Sequence, residues 1–251
     1  MSIVAVVACT AAAACAWPAP VVIDHAGAVV VEAGGFRVHV VGELLAHPDL
    51  CAEVLATLRA DLGVIREAVP RDAYDELAAR VPIWIEHRGA VVEGGMSGRG
   101  MVFHPSGVWL RANGLDPMRA GAVEIVRAED YLAWREHQPM MVLHELAHAV
   151  HHLLSADDAA PIGDAFDAAR ASGVYDSVAY ADREERRRAY ALTSDREYFA
   201  EISEAYFGRN DFAPFDREAL IGVDPRGAAL VASVWSGFGA APGWQTDQGG
   251  E

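Results

Sequence analysis

The sequence is poor in positive charge. Its 20 basic side chains stand against 36 acidic ones, so the formal net charge is −16 at pH 7, and every basic residue is an arginine. A nucleic acid or an anionic membrane needs a basic surface on its protein partner, so this composition disfavours both. No single mechanism requires the complete lack of lysine, and we attribute it to a bias in genomic composition.

Cysteine is also scarce, with three residues in the chain. No Cys-x-x-Cys pair occurs, which excludes a structural zinc site of that kind. If the first sixteen residues are removed after export, Cys51 alone remains and no disulfide can form within the chain. Cys51 lies on the apolar stripe of a predicted helix, so we expect it to be a small core residue.

No apolar run is long enough to cross a bilayer as a helix, and no transmembrane segment is expected. Residues 1–16 carry no charged side chain and end in the small-x-small pattern of Ala14 and Ala16. This pattern predicts a secretory signal peptide and therefore a secreted or periplasmic protein. The alternatives are a lipoprotein anchored at Cys15 or Cys9, or a buried strand in a cytoplasmic protein.

Apolar periodicity along the remaining chain alternates between that of strands and that of helices. Strands are predicted at 36–40, 81–86, 101–110 and 123–128, and helices at 48–69, 72–80, from 128 to about 155, 160–172, 194–208 and 226–236. Pro105 favours an edge position for the third strand. With no repeat and no second core pattern, we predict a single α+β domain over 36–236. A linker or loose first strand precedes it at 17–35, and a flexible tail follows at 237–251.

The most informative motif is His-Glu-x-x-His, formed by His144, Glu145 and His148. Histidines four residues apart share one face of a helix, so both rings can point at one Zn²⁺ ion. Glu145 then lies beside the water of that ion rather than on the ion itself. The alternative is a pair of hydrogen-bonded histidines on a half-exposed helix. His151 and His152 lie too far along the axis or around it, and we expect them to face solvent or to stand behind the ligands.

A catalytic zinc ion needs a third protein ligand and an open position for water. Glu197, Glu201 and Glu204 share one face of the predicted helix 194–208, which is rich in aromatic residues. Carboxylates on a helix that packs need a partner, and a metal ion is one such partner. Spacing alone leaves two interpretations of Glu197, either a metal ligand or the third residue of a capping box that begins at Ser194.

The His-Glu-x-x-His motif followed by a helix with Glu-x-x-x-Glu resembles the gluzincin metallopeptidases. Tyr190, seven residues before Glu197 in the stretch Glu-Tyr-Phe-Ala-Glu, is similar to the pattern of the anthrax lethal factor-like peptidases, which include secreted Pro-Pro endopeptidases. The resemblance implies that one Zn²⁺ is held by His144, His148 and Glu197, with Glu145 as general base. It also implies that the Tyr190 hydroxyl stabilises the oxyanion, although a packed aromatic residue is the alternative.

The fold that this resemblance implies is a zincin-like metallopeptidase domain. A small mixed sheet would place an edge strand over a central zinc-binding helix, and a helical part would follow toward the C-terminus. Leu146 and Ala147 stand where the lethal factor-like family usually has an aromatic residue and glycine, so its proline-directed specificity is not carried over.

Glu201, one turn after Glu197, is expected to accept the free ring N–H of a ligand histidine, His144 in our prediction. A salt bridge with Arg196 is the alternative. We therefore predict a zinc metallopeptidase that acts on peptides or proteins. Hydrolysis of a non-peptide amide, a catalytically silent binding module and an adhesion domain with purely structural histidines are the competing hypotheses.

Overall fold

The computed structural model describes residues 22–23, 27–89, 100–181 and 183–240. The predicted signal peptide with Cys9 and Cys15, a glycine-rich loop and residues 241–251 lie outside this range. The described chain is mixed α and β, as predicted. Its internal contacts divide it into two compact units, the first up to Val64 and over Ala78–Glu136, the second over Ile65–Leu77 and from His137 onward. The single domain over 36–236 therefore stays a prediction.

A six-stranded mixed sheet forms the centre of the first unit, with strand order β1-β2-β3-β4-β6-β5. β3 runs parallel to β4 and β4 parallel to β6, while the other pairs are antiparallel. The strands are β1 (Val22–Ile23), β2 (Val29–Ala33), β3 (Phe36–Val40), β4 (Ile83–Ile85), β5 (Met101–Phe103) and β6 (Val123–Ile125). The edge position predicted for β5 is confirmed. β1 and β2 fall within residues 17–35, so of the two predictions for that segment the strand fits the structure, with two paired strands in place of one loose strand.

The central strands are buried because β-branched side chains occupy one face of them. Val38, Ile83 and Val123 lie side by side in register and have no exposed surface. Strand side chains alternate between the two faces, so these residues form one apolar layer. The helices that begin in this unit, or cross its boundary, are α1 (Gly42–Leu45), α2 (Pro48–Ala68), α3 (Arg71–Arg80), α4 (Gly107–Ala112) and α5 (Ala128–Trp134). Cys51 on α2 is fully buried, as predicted.

The opposite face of the sheet carries polar groups, which we call the arginine network: Arg119, Glu86, Glu124 and His104. The Arg119 guanidinium donates to both Glu86 and Glu124. His104 Nε2 lies 2.5 Å from Glu124 Oε2, and both side chains are buried. Arg119 also stacks over the ring of Trp84 at 5.2 Å. Each carboxylate in this network therefore has a permanent cation as partner.

Residues 107–110 are helical, so the strand predicted over 101–110 was wrong beyond Phe103. The Ser106 hydroxyl accepts a hydrogen bond from the Trp109 N–H at 3.3 Å and caps the start of α4. The serine cap gives the Trp109 N–H a hydrogen-bond partner within the segment. A strand would need a neighbouring strand for that bond, so the cap favours the helix.

Helices dominate the second unit. They are α6 (Met141–Leu153), α7 (Ala156–Ser172), α8 (Asp195–Phe207), α9 (Arg217–Val223) and α10 (Pro225–Gly237), with a hairpin of β7 (Val178–Tyr180) and β8 (Arg183–Arg187). α6 packs along α8. A side chain at Gly208 would meet the Met140 side chain at about 2.6–2.8 Å, so glycine lets the end of α8 approach the start of α6. Trp235 on α10 donates to Ser203 on α8 at 3.1 Å and fixes α8 from another side.

The C-terminal part of this unit extends further than predicted. Phe238 is only 1% exposed, so the flexible tail expected from residue 237 does not begin there. Among the described residues, no helix combines the length and the apolar character needed to span a membrane. The placement of the edge strand over α6, which the zincin-like fold requires, stays a prediction.

Candidate metal centre

Helix α6 is buried along almost its whole length. His144 is 1% exposed and Glu145 is 7% exposed, and apolar neighbours such as Leu143 and Leu146 have no exposed surface. The sequence dictates this because apolar residues flank the motif on every side. The alternative of a half-exposed helix was therefore wrong, and the histidines of the motif must find partners inside the protein.

Helix α8 begins as the capping pattern predicts, but only half of the capping box forms. The Ser194 hydroxyl accepts a hydrogen bond from the Glu197 N–H at 3.2 Å. The Glu197 carboxylate makes its hydrogen bonds to the two motif histidines instead. Ser194 thus fixes the first turn of α8, while the side chain of Glu197 is available to the site.

His144, His148 and Glu197 converge as the sequence predicted. Glu197 Oε2 lies 3.1 Å from His144 Nε2 and 3.3 Å from His148 Nε2. The two imidazole rings meet edge to face with their centroids 4.8 Å apart. The three candidate ligand atoms all lie within 4.8 Å of one another, so this group could hold a metal ion.

The spacing of these atoms fits a small tetrahedral cation. Bond lengths of about 2.0–2.2 Å place two ligands of one tetrahedral zinc ion about 3.3–3.5 Å apart. The two measured separations lie within a few tenths of an ångström of that value. A modest opening of the three side chains therefore suffices to admit the ion.

The second nitrogen of His144 is bound by a different glutamate from the one predicted. His144 Nδ1 lies 2.6 Å from Glu204 Oε1 but 3.9 Å from Glu201 Oε1. The prediction that Glu201 accepts this ring N–H was wrong, because the ring directs Nδ1 at the residue seven positions after Glu197 rather than four. Glu201 instead accepts a hydrogen bond from Asn210 at 3.1 Å.

His144, Glu201 and Glu204 form a second buried group whose ligand atoms lie within 4.8 Å of one another. The 2.6 Å separation of His144 Nδ1 from Glu204 is a hydrogen-bond distance. It is well short of the roughly 3.3 Å that two ligands of one tetrahedral zinc ion require. We therefore interpret this second group as the hydrogen-bonded support of His144 and assign the metal to the first group alone.

The protonation of the site reflects the competition between burial and these contacts. Burial raises the pKa of Glu197, but hydrogen bonds to His144 and His148 outweigh it and hold that pKa well below its usual range. Burial lowers the pKa of His144, but hydrogen bonds to Glu197 and Glu204 outweigh it and raise that pKa well above normal.

These opposite shifts have a structural cause, since a carboxylate faces each ring nitrogen of His144. A neutral imidazole has one N–H, so the nitrogen facing Glu197 needs either a second proton or a metal cation between it and the carboxylate. The site therefore requires a positive charge at the point where the three ligand atoms meet.

The remaining predicted residues lie close to this point. Glu145 follows His144 on α6. Tyr190 begins a 3₁₀ turn, and the centroid of its ring lies 6.5 Å from that of the His144 ring. Tyr190 is half-buried, so both predicted interpretations of this residue stay open. His151 packs at 6.1 Å against Phe199, and burial lowers its pKa, while His152 is exposed. Neither belongs to the ligand group.

The comparisons with known proteins found no match to this chain among protein-family models, curated proteins or solved structures. The candidate site therefore stands on its own residues. Sequence reasoning gave no role to two of them, Gln138, which donates to Glu204, and Glu204, which accepts behind His144. The only signal available for Glu204 was its place on the same helical face as Glu197 and Glu201.

Proposed function

We propose that this protein is a zinc-dependent metallopeptidase of the gluzincin type, with a zincin-like fold. The observation that carries the proposal is the contact of one carboxylate oxygen of Glu197 with Nε2 of both His144 and His148, at 3.1 and 3.3 Å. A set of two imidazoles and one carboxylate on two packed helices is the ligand set of catalytic zinc in several peptidases. Since Glu145 lies between the histidines, the general base is present as well.

The donor set favours zinc over the hard cations. Two imidazole nitrogens and one carboxylate oxygen suit Zn²⁺, whereas Ca²⁺ and Mg²⁺ prefer oxygen ligands only. When bound, zinc supplies a Lewis acid that lowers the pKa of water toward neutrality and polarises a carbonyl group. Three protein ligands leave one position for that chemistry, which distinguishes this set from a closed structural site.

Glu145 is the proton carrier of the proposed reaction. It lies on the motif helix next to a ligand and is 7% exposed, so its carboxylate is shielded from bulk water. In peptide hydrolysis the oxygen of water adds to the carbonyl carbon and the C–N bond breaks. Glu145 accepts the proton that this water loses and returns it to the leaving amine nitrogen.

Tyr190 is the proposed donor to the oxygen that gains negative charge. Its ring lies 6.5 Å from the ring of His144, at the edge of the ligand group. A phenol hydroxyl that donates to a developing oxyanion lowers the barrier by favouring the transition state over the substrate. A secreted or periplasmic location, from the predicted signal peptide, belongs to the same proposal.

Peptide-library cleavage followed by mass spectrometry tests the proposal. The zinc-loaded parent should cut peptides, and Glu145→Gln should lose about 10²- to 10⁴-fold in rate while it keeps its zinc. Glu136→Gln, a change of the same chemistry outside the motif, should cut like the parent. Equal cleavage by parent and Glu145→Gln would contradict the assigned base, and no cleavage by the zinc-loaded parent would contradict the peptidase assignment.

A further inference from the structure

Behind the candidate metal ligands lies a clamp formed by Gln138 and Glu204. Gln138 Nε2 donates to Glu204 Oε1 at 2.7 Å, and His144 Nδ1 lies 2.6 Å from the same oxygen. Glu204 has no exposed surface, and Gln138 and His144 are each 1% exposed. One buried carboxylate oxygen thus receives two hydrogen bonds, from the residue that precedes α6 and from a residue on α6 itself.

The chemistry of the three groups fixes the direction of both hydrogen bonds. A carboxylate only accepts, so the amide nitrogen of Gln138 must face it and the Nδ1 of His144 must carry a proton. A neutral His144 with its proton on Nδ1 keeps its lone pair on Nε2, the nitrogen nearest Glu197. A metal ion needs that lone pair, and the tautomer of a ligand histidine is set by the hydrogen bond of its second nitrogen.

The clamp also has a cost that a purely structural contact would avoid. Glu204 Oε2 is buried and has no hydrogen-bond partner within the described part of the chain. A buried polar atom without a partner reduces stability, so such groups call for an explanation beyond packing. A carboxylate that raises the basicity of a metal-binding imidazole gives this explanation.

We propose that Glu204, held in place by Gln138, is the positioning residue that orients His144 and fixes its tautomer for metal binding. This inference rests on the proposed zinc site. Glu201 does not share the role, since its nearest carboxylate oxygen lies 3.9 Å from His144 Nδ1 and it accepts from Asn210 instead. The two glutamates on α8 therefore form a matched pair for the test.

The first measurement is the zinc affinity of the full chain, by competition with a chromophoric chelator and with Zn²⁺ as the only ligand. Glu204→Gln should bind zinc about 10- to 100-fold more weakly than the parent, the usual loss when the partner of a ligand histidine is changed. Glu201→Gln should stay within about threefold, because it leaves both hydrogen bonds of His144 intact. Circular dichroism verifies that each variant is folded.

The second measurement separates positioning from a general loss of structure. In the zinc-loaded protein labelled with ¹⁵N-histidine, the Nδ1 proton of His144 should resonate far downfield because it donates a short hydrogen bond to a carboxylate. This resonance should shift in Glu204→Gln and in Gln138→Met, and stay in place in Glu201→Gln. Gln138→Met keeps the glutamate and replaces the side-chain amide, with its donor to Glu204, by an apolar group of similar length, so it serves if Glu204→Gln does not fold.

The outcomes distinguish this inference from the proposed function. Zinc binding by the parent with equal affinities and unchanged spectra in all three variants would overturn the role of the clamp and leave the zinc site standing. If Glu201→Gln loses as much zinc affinity as Glu204→Gln, or more, the positioning role does not belong to Glu204. Failure of the parent to bind zinc would overturn the proposed function itself.

Discussion

The described part of the chain contains two buried networks of histidine and glutamate, and they differ in the groups that face their carboxylates. In the arginine network of the first unit, the Arg119 guanidinium donates to both Glu86 and Glu124, and His104 lies against Glu124. In the second unit, which holds the candidate metal centre, the partners of Glu197 and Glu204 within the described residues are histidines and a glutamine. No guanidinium contacts either of these two carboxylates there.

Under the proposed function, we interpret the first network as structural and the second as the support of a metal site. Buried carboxylates require compensating charge, and an arginine supplies it permanently because it does not lose its proton. Histidines supply it only when protonated or when they share a metal cation with the carboxylate. The first network therefore has a permanent cation in contact with both of its carboxylates, whereas the second depends on a proton or an exchangeable ion for its positive charge.

The largest expected effect on stability comes from removing the arginine of the first network. Arg119→Met leaves two mostly buried carboxylates without their cation, since the Arg119, Glu86 and Glu124 side chains are 16%, 14% and 5% exposed. We expect the free energy of unfolding to fall by about 3–5 kcal/mol in urea denaturation. Zinc affinity of the folded protein should not change.

A matched control for this prediction lies in the same unit. Arg88 pairs with Glu129 at 3.5 Å, but both side chains are about 60% exposed. Arg88→Met should cost less than about 1 kcal/mol, because solvent screens such a pair. Similar losses of unfolding free energy in the two variants would show that the buried position of the arginine network adds nothing to the cost of removing its cation.

Removing one histidine of the second network should abolish tight metal binding. His148→Ala takes away one of the three candidate ligands, and zinc affinity should fall by more than about a hundredfold, beyond the loss from changing a partner of a ligand. His152→Ala, on the same helix but exposed, should bind zinc like the parent. Undiminished zinc content in His148→Ala, measured by atomic emission, would contradict the ligand assignment.

A buried carboxylate outside the two networks, Asp224, has tyrosine hydroxyls as partners and predicts a sensitivity to alkaline pH. It accepts from the hydroxyls of Tyr198 and Tyr175 at 2.6 and 3.0 Å. Burial raises the pKa of both phenols, and the Asp224 charge and its hydrogen bonds raise it further. Phenols with raised pKa values stabilise the folded state below their unfolded pKa of about 10, and this stability is lost as the pH rises above it.

The measurement is urea denaturation from pH 8 to pH 11. Tyr198→Phe should be less stable than the parent by about 1–3 kcal/mol at pH 8, and the difference should shrink toward pH 11. Tyr206→Phe serves as control, because Tyr206 bonds to the cation of Arg217 rather than to a carboxylate. A difference that is constant over this pH range would contradict the assignment.

The smallest expected effect separates the two roles of the first turn of α8. Ser194→Ala removes the cap that accepts from the Glu197 N–H and should reduce stability by about 1 kcal/mol. Zinc affinity should stay within about threefold, because the Glu197 carboxylate does not bind the cap. A large loss of zinc in Ser194→Ala, with stability unchanged, would mean that the cap rather than the carboxylate organises the site.

Local patterns predicted most of the elements, because their signals lie within a few residues. The stripe of α2, the motif helix α6, the Ser194 start of α8 and the edge position of β5 all follow from spacing, capping and proline. For residues 17–35 the sequence left a linker or one loose strand open, because the pairing of β1 with β2 and of β2 with β3 depends on partners outside each strand. The hairpin of β7 and β8 was missed.

The site was predicted less completely, since it depends on which way side chains turn. Glu201 and Glu204 are rotated by about 40° and 20° to opposite sides of Glu197 around an ideal helix, so both share its face. Sequence spacing favoured Glu201 because it is nearer along the axis. In the structure, the packing of α6 on α8 orients the His144 ring so that its Nδ1 meets Glu204 and not Glu201.

Anomalous diffraction at the zinc absorption edge, from crystals grown with Zn²⁺, tests the central claim most directly. We predict one strong peak among His144 Nε2, His148 Nε2 and Glu197 Oε2, with Glu204 still bonded to the far nitrogen of His144. No peak at that point, or a peak held by other side chains while His144 and His148 keep their direct contacts with Glu197, would contradict the account.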